Sequence, residues 1–161
     1  MKDEFLLSDT IVFDAKPIAV PYNYRISYKI SQLVLILSIC SPRGGCSLIK
    51  LHMISTAFAS EIAMKKLCSF ADDELCEIPV IRFDPAVNRA LLFAISEGII
   101  IQQKDGKLKL SQKGKQFAET IMESPDLMVR EKVYLSQISK KITEKKIQTV
   151  IANWRYQDAT N

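Results

Sequence analysis

The chain has 161 residues, a formal net charge of +4 and 48% hydrophobic residues, which supplies one packed core and excludes a string of domains. Five glycines and six prolines exclude a long low-complexity tract, and the most apolar run, Leu33 to Cys40, is far shorter than the ~20 residues a membrane span needs. Met1 to Asp9 carries Lys2, Asp3 and Glu4 without a sustained apolar stretch, so no secretory or transit segment is evident and a cytoplasmic protein is expected.

In chain order, residues 1–23 hold Pro17 and Pro21, a spacing that opposes helix and predicts an extended arm. A helix is predicted from Tyr24 to Ser41. Ile26, Ile30, Leu33, Leu37 and Cys40 form one stripe, and Val34, Leu35, Ile36 and Ile39 fill most of the remaining circumference. A helix apolar all round is either a buried central helix or one covered by a subunit. The second alternative makes Val34, Leu35 and Ile36 candidate interface residues. Pro42, Gly44 and Gly45 end this helix.

Ser47 to Ala71 also reads as helical, with Ser47 and Ser60 as candidate N-caps and a break near Ala59. Asp72, Asp73 and Glu74 form an acidic loop, and Val80 to Phe83 is a short strand candidate. Asp84-Pro85 suits the N-cap and first position of a helix over Pro85–Glu97, which Gly98 stops. Ile99–Ile101 and Leu108–Leu110 are expected to pair through a turn at Lys104-Asp105-Gly106-Lys107. Ser111 caps a helix from Gln112 to about Glu123. After Ser124-Pro125 a helix pair is expected, the second capped by Thr143 and carrying Ile147, Val150, Ile151 and Trp154. Trp154 is an amphipathic anchor and a further candidate interface residue. The organisation is an arm over 1–23, a body over 24–123 and a C-terminal helical appendage over 124–161.

Catalytic patterns are absent. His52 is the only histidine and sits in an apolar helix, so a packed imidazole is the simplest reading. Cys40, Cys46, Cys68 and Cys76 form no Cys-x-x-Cys pair and read as reduced thiols. The acidic cluster lacks the spaced ligands of a calcium loop, and Arg43-Gly44-Gly45 lacks the following Gly-Lys-Ser/Thr of a phosphate-binding loop. A non-enzymatic chain with no metal and no cofactor is expected. Charge is uneven: ten basic residues face eleven acidic ones in 1–99, but twelve face six in 100–155, which favours a polyanion or acidic partner on the later half.

The order helix, Gly98, strand, Asp105-Gly106 turn, strand, Ser111-capped helix resembles the closing half of a winged helix-turn-helix domain, a mainly α fold with a small β-hairpin (α+β). In the DNA-binding form the helix before the wing enters the major groove. Here that helix offers Asn88 and Arg89, a thin set for reading bases, and shows Leu92 and Phe93, which suit a protein contact. The wing offers Lys104, Lys107, Lys109, Lys113 and Lys115 for non-specific phosphate contact.

Residues Ile30 to Leu37, the Gly44-Gly45 turn followed by Leu48 and Leu51, and the Gly98–Gly114 wing make residues 24–123 similar to the middle components of three-component ABC-ATPase (Lamassu-type) antiphage conflict systems. The resemblance implies a non-enzymatic adaptor bound to an SMC-like ATPase and to an effector subunit such as a nuclease, with no membrane role. The alternative from the residues alone is a winged-helix DNA-binding transcriptional regulator.

Overall fold

A computed structural model describes residues 21–74, 79 and 81–158. Of the expected arm only Pro21 and the short 3-10 turn Tyr22–Tyr24 fall within them; residues 1–20, like Cys76, Glu77 and Val80, lie outside the described residues. Seven α-helices and one antiparallel hairpin follow in order among the described residues: α1 (Ile26–Cys40), α2 (Leu48–Ala57), α3 (Glu61–Ala71), α4 (Pro85–Ser96), β1 (Ile100–Gln102), β2 (Leu108–Leu110), α5 (Gln112–Glu123), α6 (Val129–Ile138) and α7 (Glu144–Asp158). The fold is mainly helical α+β. Ile81–Phe83 is not a strand: it runs without regular structure into α4.

Local chemistry sets most helix starts. Ser47, Ser60, Asp84 and Ser111 each accept a backbone N–H from the first turn of the helix they precede, and Thr143 does the same for α7 by accepting from Lys146 N. Each such cap contributes about 1 kcal/mol. Glycine fixes the exit from α4. Gly98 has φ +69°, its N–H donates to Ile95 O, and the Ile99 N–H donates to Ala94 O at 2.8 Å. These paired bonds form a Schellman stop.

The hairpin registers Ile100 with Leu110, Ile101 with Lys109 and Gln102 with Leu108. Gly106 turns it at φ +82°, and the Asp105 carboxylate accepts the Lys107 N–H. A third, single-residue strand was not foreseen from sequence. Cys46 exchanges two 2.8 Å backbone hydrogen bonds with Leu108, so β2 lies between Cys46 and β1.

The apolar first helix is the centre of the molecule. Leu33, Val34, Leu35, Ile36 and Leu37 are 0–1% exposed, with α2, α4, α5 and α6 packed around them. Val34, Leu35 and Ile36 are therefore core rather than interface. Here α2, α4, α5 and α6 together close the circle around α1. One continuous core also takes in Leu135, Ile138, Ile142, Ile147 and Val150 from α6, α7 and the turn between them. Residues on both sides of position 123 thus share that core. Trp154 is half-buried against it.

Candidate functional site

Two partly buried polar chains run along an open cleft of about 530 Å³ bounded by α1, α2, α3 and the approach to α4. In the first, Lys29 on α1 lies 3.2 Å from the Asp84 carboxylate, whose other oxygen caps α4 by accepting from Ala86 N at 2.8 Å. The Asp84 N–H donates to His52 Nδ1 at 3.3 Å. Because Nδ1 accepts, the ring proton belongs on Nε2, which then donates to Asn88 Oδ1 at 2.9 Å. His52 is fully buried, and burial lowers its pKa, opposed by Asn88 and Asp84. It is a neutral structural pin between α2 and α4.

In the second chain, Ser55 Oγ donates to Gln32 Oε1 at 2.5 Å, Gln32 Nε2 donates to Tyr28 Oη at 3.4 Å, and Tyr28 Oη donates to Glu131 Oε1 at 2.6 Å. Burial, reinforced by the Glu131 charge, pushes the Tyr28 hydroxyl well above its ordinary value. These bonds join α2, α1 and α6, and every member is satisfied, as a buried polar network requires. The two ring nitrogens of His52 are engaged by Asn88 and the Asp84 N–H rather than by a serine or cysteine. Cys40 and Cys46 are free thiols that burial pushes up to about 12, which leaves them unreactive near neutral pH. Among the described residues no group of three or more His, Cys, Asp or Glu side chains is arranged to hold a metal ion. No helix among them is long and apolar enough to cross a membrane.

The seven residues expected to face DNA fall into separate groups. Asn88 and Arg89 are the fourth and fifth residues of α4, about 13–15 Å of helix away from Gly98 at 1.5 Å per residue, and the Asn88 carbonyl is held by His52. Lys104 is exposed at the hairpin tip. Lys107 is half-buried and lies 3.5 Å from Asp105. Lys113 donates to the Glu97 carbonyl at 2.8 Å and so caps the end of α4. Lys109 and Lys115 are exposed and meet in one recess with Arg43, whose place in the sequence marks only a turn.

The lysine of α4's end is one of four with the same task. Lys50, only 4% exposed, donates to Cys40 O at 3.1 Å and Ser41 Oγ at 2.8 Å at the end of α1. Lys146 donates to Ala71 O at 2.8 Å at the end of α3 and lies 2.7 Å from Asp73. Lys132 donates to Ser124 O at the end of α5. An ammonium there offsets the negative end of the helix dipole and satisfies carbonyls with no partner in the helix. Part of the positive charge of residues 100–155 is thus matched by partners within the chain. Lys113, Lys132, Lys146 and Lys141, which pairs with Asp72 at 2.6 Å, are all so engaged.

The apolar surface sits elsewhere. On α4, Leu92 and Phe93 are 70% and 50% exposed. Around the cleft, Tyr24, Ile62 and Phe83 each show more than half of their surface. Helical spacing carried straight on from Leu51, Ile54 and Phe58 would place Ile62 on the buried face. The break at Phe58-Ala59-Ser60 resets the helical phase and turns it outward. Comparison of the chain with protein-family models, curated proteins and solved structures gives no match.

Proposed function

We propose that this chain is a non-enzymatic adaptor whose body, residues 24–123, is a winged helix, and that it docks on a larger partner through α4. The strand order Cys46, β2, β1 and the helix leading through Gly98 into the hairpin support the winged-helix reading. It carries one helix more than the minimal form, since α2, α3 and α4 all lie between Cys46 and the hairpin. One observation carries the function: the helix that would read bases presents Leu92 and Phe93 to solvent, and its one adenine-reading side chain, Asn88, is held by His52. Exposed aromatic and aliphatic side chains on a rigid helix suit a protein partner, and they supply none of the bidentate hydrogen bonds by which a major groove is chiefly read. The resemblance to Lamassu-type middle components gives that partner a class, an SMC-like ATPase acting with an effector such as a nuclease.

Co-purification tests this reading. The chain is co-expressed with the proteins encoded by adjacent genes, as wild type and as Leu92→Glu/Phe93→Glu. Both positions are exposed, so the double variant is expected to keep its fold by circular dichroism and to lose its partner. A wild-type chain that neither associates with those neighbours nor gains stability from them refutes the proposal. The second reading, a DNA-binding regulator, is favoured by the exposed Lys104, Lys109 and Lys115. It displaces the first if one duplex sequence binds a thousandfold tighter than unrelated ones.

A further inference from the structure

We infer that the recess between the end of α1, β2 and the start of α5 is an anion site that takes a phosphate of a nucleic-acid duplex backbone. The recess has a volume of about 360 Å³. Three elements far apart in sequence each bring a cation to it: Arg43 from the turn after α1, Lys109 from β2 and Lys115 from α5. All three are exposed. One carboxylate, Glu119, shares the recess, so its balance is strongly positive. Lys50 adds to this from behind, because its ammonium bonds Ser41 Oγ, and Ser41 is part of the wall. That buried cation also offsets the negative end of α1, which would otherwise repel an anion from this spot.

Three like charges held around one small concavity repel each other, and a bound anion converts that repulsion into attraction. The lining identifies which anion. Its apolar part is Leu37, Pro42 and Leu110, with no aromatic ring on which a base could stack, so a free nucleotide would find its phosphate held and its base unsupported. A backbone phosphate needs no such platform. Lys109 also pairs in register with Ile101 on the outward face of the hairpin, and Lys104 is exposed at the tip of the same hairpin. A rod-like polyanion following the hairpin therefore meets cations both at the recess and beyond it. The inference involves different residues from the α4 docking face and stands or falls separately from the adaptor reading.

The test measures anisotropy of a labelled 20-base-pair duplex of arbitrary sequence titrated with the full chain over a range of salt. Arg43→Glu/Lys109→Glu/Lys115→Glu is compared with Lys140→Glu/Lys145→Glu/Arg155→Glu, which changes net charge equally at exposed positions elsewhere. The recess variant is expected to lose at least tenfold in affinity and to lower the slope of log K against log salt by about 2–3, at about 0.9 per phosphate contact released. The control is expected to lose less than threefold. The neutral Arg43→Gln/Lys109→Gln/Lys115→Gln variant, which adds no repulsion, is expected to lose less than the reversed variant but still at least tenfold, against less than threefold for Lys140→Gln/Lys145→Gln/Arg155→Gln, and carries the test if the reversed variant fails to fold. Equal losses in recess and control variants, or no duplex binding by the wild type, overturn the inference. So does a recess whose removal leaves duplex affinity intact while abolishing thermal protection by inorganic phosphate, since the site would then serve a free anion.

Discussion

Gly114→Ala separates packing from helix propensity, because the two predict opposite signs. Gly114 is the third residue of α5. By propensity alone, alanine there should stabilise by about 1 kcal/mol. In the fold, a Cβ on Gly114 would overlap the carbonyl oxygen of Ile99 and reach to 3.1 Å from Leu110 Cδ2. The carbonyl cannot yield freely, since it accepts the Ser111 N–H at 3.0 Å, and Ser111 in turn caps α5 by accepting from Gly114 N. Relieving the overlap therefore pushes α5 off the hairpin. Overpacking of this kind costs about 1–3 kcal/mol, and loss of the Ser111–Ile99 bond adds about 1 kcal/mol. After the propensity gain the net is a destabilisation of about 1–3 kcal/mol, or roughly 4–8 °C in Tm for 2 kcal/mol at this chain length. Urea denaturation followed by circular dichroism measures it, with Gly44→Ala as reference, because a Cβ at Gly44 meets nothing within 4 Å and should change stability by less than about 0.5 kcal/mol. A Gly114→Ala chain as stable as wild type would refute the close approach of α5 to the hairpin.

Two further outcomes follow from named residues. Gly98→Val is expected to cost about 1 kcal/mol or more through backbone strain alone, since φ there is +69° while a Cβ would meet open space; a neutral result in the same urea assay would contradict the left-handed stop of α4. His52 gives the fold a pH dependence. Its folded pKa is lowered by burial, so below the ordinary histidine value near 6.5 the unfolded chain binds a proton that the folded chain refuses. Stability is therefore full above that value, falls as pH drops through it by at most about 1.4 kcal/mol per pH unit, and levels off below the depressed folded value. His52 is the only histidine, so thermal melts of His52→Gln should be flat between pH 8 and 6, and an unchanged slope would contradict the assignment.

What the sequence disclosed was local. Ser47, Ser60, Asp84, Ser111 and Thr143 act on backbone groups two or three residues away, and Gly98 and Gly106 act through their own φ, so their roles were readable without a fold. What stayed hidden depends on partners distant in the chain. The apolar circumference of α1 was compatible with burial or with a subunit, and only the placement of α4, α5 and α6 decides for burial. Cys46 pairs with Leu108 as a single residue, too short for any alternation to announce. The lysines carried the same ambiguity: nothing in the sequence distinguishes Lys113, which bonds a carbonyl of α4, from Lys115, which joins Arg43 in the recess. For the candidate site, the exposure of Leu92 and Phe93 was foreseen from helical spacing, whereas the convergence of Arg43 with Lys109 and Lys115 required the tertiary fold.

The central position of α1 also has a consequence for how the chain is made. Its five innermost side chains, Leu33 to Leu37, gain their cover from helices that end as late as Ile138. A ribosome adding ~5–20 residues per second needs about 5–20 s to complete the roughly 100 residues in between. During that interval the most water-averse segment of the protein has emerged before its packing partners exist. The nascent chain should therefore be a substrate for holding chaperones until α6 appears, and truncation before Val129 should yield insoluble product even though residues 24–123 contain the whole hairpin body.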